Sequence, residues 1–248
     1  MIRKARKLAK FIHRMMTGLS NGPKDVTKLV QRILLTETNR PRYFIQVGAG
    51  AGDLDPRVNF RDGFTEVIKK LQLATDDHVI LIEPNPFNID NLKECWKDFQ
   101  NKEIFQIGIS QKQQSGKSLP FYYSELDGPH YQVASFEPNH VLKHYRSLSI
   151  ENLEVISVPS VDLKTLIDKV TRGSHIVLLA LDIEGIDAEI ILETDFSAIN
   201  VSLLSFEYLH LGDRSEAVAD HLRKCGFRYI GVGVDFKGYD HLYCKSMR

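Results

Sequence analysis

Cysteine is scarce in this chain: three residues, Cys95, Cys225 and Cys244, scattered and with no C-x-x-C pair. That excludes a disulfide framework, argues against a cysteine zinc site, and fits a reducing, cytoplasmic compartment. Net charge is missing too. Lysine plus arginine and aspartate plus glutamate stand at 32 each, so no overall field draws in nucleic acid. No apolar run approaches the roughly 18 residues needed to span a bilayer, and no signal-peptide apolar region is visible. Internal repeats and low-complexity tracts are absent. Acids are absent before Asp25, whereas Arg3, Lys4, Arg6, Lys7, Lys10 and Arg14 crowd the start. Ile2, Ala5, Leu8, Ala9, Ile12, Met15 and Met16 recur there at helical spacing. A basic amphipathic helix of this kind can touch an anionic membrane surface or an acidic partner weakly. Its small and flexible apolar residues favour the plainer reading, packing on the domain or forming a lid.

The most informative stretch present is Phe44-Ile45-Gln46-Val47-Gly48-Ala49-Gly50-Ala51-Gly52-Asp53. An apolar run feeding alternating glycines reads as a buried strand and a tight turn. Glycines there admit positive φ and let a ligand approach the main chain. A second run, His78-Val79-Ile80-Leu81-Ile82, ends in Glu83. Strand, glycine turn, helix, strand and acid make up a nucleotide-binding α/β half-domain. The dinucleotide fingerprint G-x-G-x-x-G is not met, because the third glycine comes one position early and Glu83 lies beyond the usual spacing of about 20 residues. A glycine turn ending in Asp, with a carboxylate on the second strand for both ribose hydroxyls, suits S-adenosylmethionine better.

Further along, helices are expected over 26–36, 63–73, from Asn85-Pro86 to about 99, over 161–170, to about 193, and over 215–225. Strands are expected over 43–47, 79–82, 103–109, 119–123, 155–159, 176–181 and 201–206. Residues 227–245 read as a hairpin, which on a parallel sheet favours a methyltransferase fold over a dinucleotide-binding one. Residues 125–149 are non-periodic and rich in His and Tyr, a pattern often functional in compact domains. The simplest division is a basic helical arm over 1–40 and one domain over 41–248, with a His/Tyr-rich insertion near 111–150.

Phe44 to Gly50, then Ile82-Glu83-Pro84-Asn85-Pro86, Val158-Pro159-Ser160-Val161-Asp162-Leu163 and Leu181-Asp182-Ile183-Glu184-Gly185 follow one another in a specific order. In these motifs the chain resembles the FkbM-type S-adenosylmethionine-dependent methyltransferases over about residues 43–210. The resemblance implies an α/β, Rossmann-like class I methyltransferase fold. It implies a seven-stranded, mostly parallel sheet and methyl transfer to a hydroxyl of a sugar, glycan or polyketide-like small molecule. Two positions depart from the pattern: Gln46 stands where Asp is usual, and Gly50 where Asn is frequent. The turn from Asp53 to Asp62 is also longer than the pattern.

In open α/β sheets ligands sit at the carboxyl ends of the strands, and four such ends carry polar groups here. Gly48, Ala49, Gly50, Gly52 and Asp53 are expected to hold the methionine end of the cofactor. Glu83 should take the ribose with Asn85 nearby, and Ile107 and Gly108 should border the adenine. Asp182 is expected near the sulfonium. Asp182, Glu207, His210 and His130 are candidate bases, and the segment 130–144 is where acceptor selection is expected. Glu184 reads equally as a catalytic group or as a cap on the following helix. Asp182, Glu184, Glu207 and His210 could gather a divalent ion, but no metal-specific spacing is present, and no metal ligands are assigned. The rivals are an NAD-dependent oxidoreductase and a non-catalytic module that binds an adenosyl ligand. Oligomeric state is left open.

Overall fold

The computed structural model describes residues 20–37, 39–53, 61–127, 133–145 and 147–245. The elements of the main sheet and its helices, in chain order, are β1 (Ser20–Asn21), α1 (Pro23–Thr36), β2 (Arg42–Val47), α2 (Gly63–Lys69), β3 (Asp77–Ile82), α3 (Pro86–Cys95) and β4 (Lys102–Phe105). Next come β5 (Gly108–Ile109), β6 (Ser118–Tyr123), α4 (Pro138–His144), β7 (Glu154–Val161) and α5 (Leu163–Thr171). The chain closes with β8 (His175–Leu181), α6 (Asp187–Glu193), β9 (Val201–Glu207), α7 (Ser215–Lys224), β10 (Phe227–Val232) and β11 (Asp240–Lys245).

Eight strands form one sheet in the order β1-β10-β11-β9-β8-β2-β3-β4. The pairs β9–β8, β8–β2, β2–β3 and β3–β4 are parallel, and β11 runs antiparallel to both neighbours. Side chains alternate across this sheet. Tyr43, Ile45 and Val47 face one helical layer with Leu163, Ile167, Ile190 and Leu222. Phe44, Val79 and Leu81 face the other, with Val26, Val30, Phe64, Val67 and Trp96. Both faces are therefore covered, as a parallel sheet requires. Each fully buried Leu, Ile, Val or Phe contributes about 1.5–3 kcal/mol.

Caps follow local chemistry. Asn85 accepts from the Phe87 N–H with Pro86 in the first turn, and Asp62 and Asp162 each accept from the N–H three residues on; these are the preferred residues at that place.

Three features differ from the sequence expectation. The main sheet has eight strands rather than seven, because Ser20–Asn21 pairs in parallel with β10. The expected strand 103–109 is broken: β5 leaves the main sheet and pairs with β7, which also pairs antiparallel with β6, making a second, three-stranded sheet. This small sheet and α4 give the segment 111–150 more order than its irregular sequence suggests. Finally, α1 buries Val26, Val30 and Ile33 in the core, so a boundary near residue 40 does not separate residues 20–36 from the domain. The basic stretch 1–14 lies outside the described residues. Among those described, no helix is long and apolar enough to cross a membrane.

Candidate active site

Strand order reverses between β2 and β8. One parallel crossover from β2 runs outward to β3, while β8 begins the other half, and a crevice opens between their carboxyl ends. Gly48 and Asp182 meet there. A methyl group on Gly48 would collide with the Asp182 carbonyl oxygen, and Gly48 sits at φ 75°, so this position requires glycine. Gly52 packs against Cys95 in the same manner, whereas nothing lies within 4 Å of a Cβ placed on Gly50. Of the three glycines, then, Gly50 alone leaves an open cradle in front of its backbone. The cavity above has a volume of ≈ 340 Å³, within the range of small-molecule sites.

Glu83 forms one wall. It is 4% exposed, its Oε2 accepts from the Gly50 N–H at 2.7 Å, and its Oε1 accepts from the Asn85 N–H at 2.9 Å and Asn88 Nδ2 at 3.3 Å. Burial pushes its carboxyl up to about 7, against the pull of those donors and with a further push from Glu184. A carboxylate has about four acceptor positions, so Glu83 retains capacity for a ligand hydroxyl beside the donors that orient it. Gln46 also faces this crevice. Its Nε2 donates to Asp62 Oδ1 at 2.9 Å, so the N-cap of α2 brings a carboxylate to the strand end where Gln46 replaces the usual acid.

The opposite wall is a concentration of acids and histidines. Asp182 is accessible from the open cleft, yet protein encloses it closely. That enclosure, and then the charges of Glu184, Asp187, Glu207 and Asp240, holds its carboxyl well above the usual range. Burial raises Glu207 to about 8, with Glu184, Asp187 and Asp235 adding to it, and raises Asp187 and Asp240 to about 7. His210 Nε2 lies 3.5 Å from Glu207 Oε2, and His140 Nε2 lies 2.8 Å from Glu184 Oε2. Burial lowers both histidines, His140 to about 4. Phe121 and Phe136, edge to face at 5.2 Å, supply apolar lining with Ile109 and Ala134.

The structure gathers Gly48, Ala49, Gly50, Gly52, Glu83, Asn85, Asp182, Glu207 and His210 on this one cavity. Three expected residues are not in its lining. Asp53 turns away to accept from the Asp62 N–H and to approach Lys69. Ile107 and Gly108 lie behind the wall, with Gly108 packed against the Phe136 ring, and Ile109 takes the lining position instead. His130 lies outside the described residues. Glu184 is not the cap of α6: that helix begins after Ile186 with no side-chain cap, and Asp187 Oδ1 accepts from the Ile183 N–H. Glu184 instead sits at φ 48°, a costly conformation for a non-glycine residue, which turns its carboxylate toward His140.

Sequence reasoning missed the lining from the hairpin loop (Asp235, Lys237, Tyr239, Asp240) and from Phe121 and Phe136. Polar residues at a hairpin tip carry no local sign that the hairpin folds over a crevice. The pair His140 and His144 did carry a signal, since residues four apart share one helix face.

The family profile described as Methyltransferase FkbM domain matches residues 46–229. The chain belongs to the FkbM methyltransferase family. The matched span carries the Gly48–Gly52 turn, Glu83 and the Asp182–Gly185 loop. A comparison with curated proteins found no match. Among solved structures, the chain is similar to a human methyltransferase 10 domain containing protein, at 10% identity, covering 99% of this chain and 96% of that one, with a TM-score of 0.44. It is also similar to a precorrin-6y C5,15-methyltransferase from Geobacter metallireducens, at 10% identity, 90% and 86% coverage and TM-score 0.42. Aeropyrum pernix fibrillarin in complex with natively bound S-adenosyl-L-methionine matches at 10% identity, 88% and 74% coverage and TM-score 0.39. Family membership makes this an S-adenosylmethionine-dependent methyltransferase. The Gly50 cradle beside a buried carboxylate fits that cofactor: Glu83 would take the ribose and the backbone around Gly50 the methionine end.

Proposed function

We propose that this FkbM methyltransferase methylates oxygen, on a hydroxyl of a sugar, glycan or polyketide-like small molecule. The observation that carries the reading is one cavity lined by both groups of residues. Gly50 and Glu83, to which we assign the cofactor, share its lining with Glu207 and His210, to which we assign the acceptor's proton, and with Asp182.

S-adenosylmethionine, when bound, supplies a methyl group on a sulfonium and needs no activation from the protein. An acceptor hydroxyl must lose its proton as it takes that methyl. Glu207 is placed to receive it, because a base works best with a pKa near the operating pH and the Glu207 carboxyl is held near 8. Asp182 lines the same cavity at the end of its strand, and a cationic ligand there would favour its ionised form. The remaining work is alignment, for which good orientation of two reactants is worth roughly 7–11 kcal/mol of barrier. Phe121 and Phe136 keep one side of the cavity apolar and exclude water. The acids lining the cavity outnumber its one lysine, Lys237, and offer a polyanion little counter-charge, which supports a small acceptor and counts against nucleic acid.

The test is consumption of methyl-labelled cofactor with a panel of sugars, glycans and polyketide alcohols. Glu207→Gln should lower turnover by about 10²–10⁴-fold while cofactor affinity stays within a few-fold. Label transferred only to nitrogen or carbon acceptors would overturn the oxygen assignment.

A further inference from the structure

One cluster at this cavity is built in a way that proton transfer does not require. His140 and His144 project from one face of α4, with ring centroids 5.3 Å apart. His210, from the loop after β9, meets His140 edge-on at 4.8 Å. Donor atoms of these three histidines all lie within 4.8 Å of one another, and those of Glu184, Glu207 and His210 do the same, so His210 joins the two groups.

His140 is the telling member. It is 2% exposed, and neither of its ring nitrogens has a hydrogen-bond partner. Its Nε2 is 2.8 Å from Glu184 Oε2, but the alignment is not that of an N–H···O bond. Leaving such a group unsatisfied is costly, and an apolar residue would fill the place without that cost. The surroundings also hold the ring in position. Gly185 is the only residue type that fits there, since a Cβ would stand 2.6 Å from His140 Nδ1, and Ser135 Oγ donates to the Glu184 carbonyl at 2.7 Å, fixing the loop against the insertion. Two donor atoms close together without a hydrogen bond between them are what adjacent ligands of one ion look like. With metal–ligand bonds of about 2.0–2.1 Å, tetrahedral neighbours lie roughly 3.3 Å apart. The His140–Glu184 and His210–Glu207 separations, 2.8 and 3.5 Å, bracket that value, and a His144 donor atom lies within 4.8 Å of those of His140 and His210.

We propose that His140, His144 and His210, with Glu184 as the carboxylate ligand, form a site for one divalent transition-metal ion of the zinc type. Three imidazoles select such an ion over Mg²⁺, which prefers oxygen ligands. Histidines bind such an ion as neutral imidazoles. The site opens onto the cavity shared with Asp182. An ion there that expands from four to five ligands can hold the acceptor oxygen and lower the pKa of its proton; this role, unlike the site itself, rests on the oxygen-methylation reading above.

The test uses the full chain stripped with a chelator. Titration with Co²⁺ should develop the visible absorption of a four-coordinate nitrogen–oxygen site with one ion per chain, and Zn²⁺ should displace it while Mg²⁺ does not. His144→Ala and His210→Ala should each weaken Co²⁺ binding by at least about 10–100-fold, the loss that removing even an outer-shell partner brings. S-adenosylhomocysteine affinity in those variants should stay within a few-fold, which also reports that they are folded. No Co²⁺ or Zn²⁺ uptake by the wild type, or uptake that both variants retain, overturns the site. Specific uptake combined with methyl transfer that chelation leaves unchanged overturns the acceptor role and leaves the oxygen-methylation reading to its own assay.

Discussion

The two ends of the same sheet treat buried charge in opposite ways. At the amino ends of β2 and β3, Arg42 and Asp77 are almost completely buried, and Arg42 binds Asp77 through Nε and Nη2, both at 2.8 Å. Arg42 Nη1 also donates to the Leu34 and Glu37 carbonyls, and Arg40 adds a second cation to Asp77 at 3.0 Å. Burial pushes the Asp77 carboxyl up, but the Arg42 hydrogen bonds and charge outweigh it and hold it below the usual range. At the carboxyl ends, Glu83, Asp182, Asp187, Glu207 and Asp240 face one another with too few cations, and every one of them is raised. Compensated charge at one end stabilises architecture. Uncompensated charge at the other is what a site for a cationic ligand looks like before the ligand arrives, and the sulfonium cofactor is such a ligand.

Removing one partner at the paired end should have the largest effect on stability. Asp77→Ala strands Arg42 without its acceptor and should cost about 3–5 kcal/mol, measured by denaturant unfolding. At the other end, Glu83→Gln should cost less. It removes a charge that burial penalises but turns an amide NH2 toward a backbone N–H, so the stability loss should stay well below that of Asp77→Ala, while affinity for S-adenosylhomocysteine should fall by about 10–100-fold through loss of charged hydrogen bonds to the ribose. A Glu83→Gln protein that unfolds as readily as Asp77→Ala would erase the contrast.

The smallest effect per group is in pH dependence. A carboxyl raised in the folded state favours the folded form at low pH and loses that contribution as pH rises through its folded value. His140, His175 and His210, all lowered by burial, act oppositely below about 6.5, their unperturbed pKa. Above that pH they are neutral folded or unfolded, and the carboxyls act alone. Ligand-free protein should therefore lose stability between about pH 6.5 and 8, on the order of 1 kcal/mol for each of Glu83, Asp187, Glu207 and Asp240. Bound cofactor should flatten the slope. Asp77 works in the other direction, its contribution being lost only as pH falls through its lowered value.

The acidic half of this contrast was legible in the sequence, and the Arg42–Asp77 half was not. The apolar runs of β8 and β9 and the acids that end them needed no tertiary knowledge, nor did the Asn85 cap or the glycine turn. Local patterns could not say which glycine packs and which faces a ligand: Gly48 is fixed by the Asp182 carbonyl, more than a hundred residues away in the chain. Nor could they show the break after Phe105, where Gly108–Ile109 leaves the main sheet for β7, or that Ser20–Asn21 adds an edge strand. The His140–His210 contact likewise joins an insertion helix to a strand end. In each case a long-range contact decided what a short motif left open.

The most direct measurement is calorimetric titration of S-adenosylhomocysteine and, separately, NAD into the wild-type protein and Glu83→Gln. Saturable one-site binding of the adenosyl ligand, weakened by about 10–100-fold in the variant and absent with NAD, is the predicted result. Equal affinity in both proteins would contradict the account, because the buried carboxylate at the end of β3 would then not be where the cofactor's ribose is held.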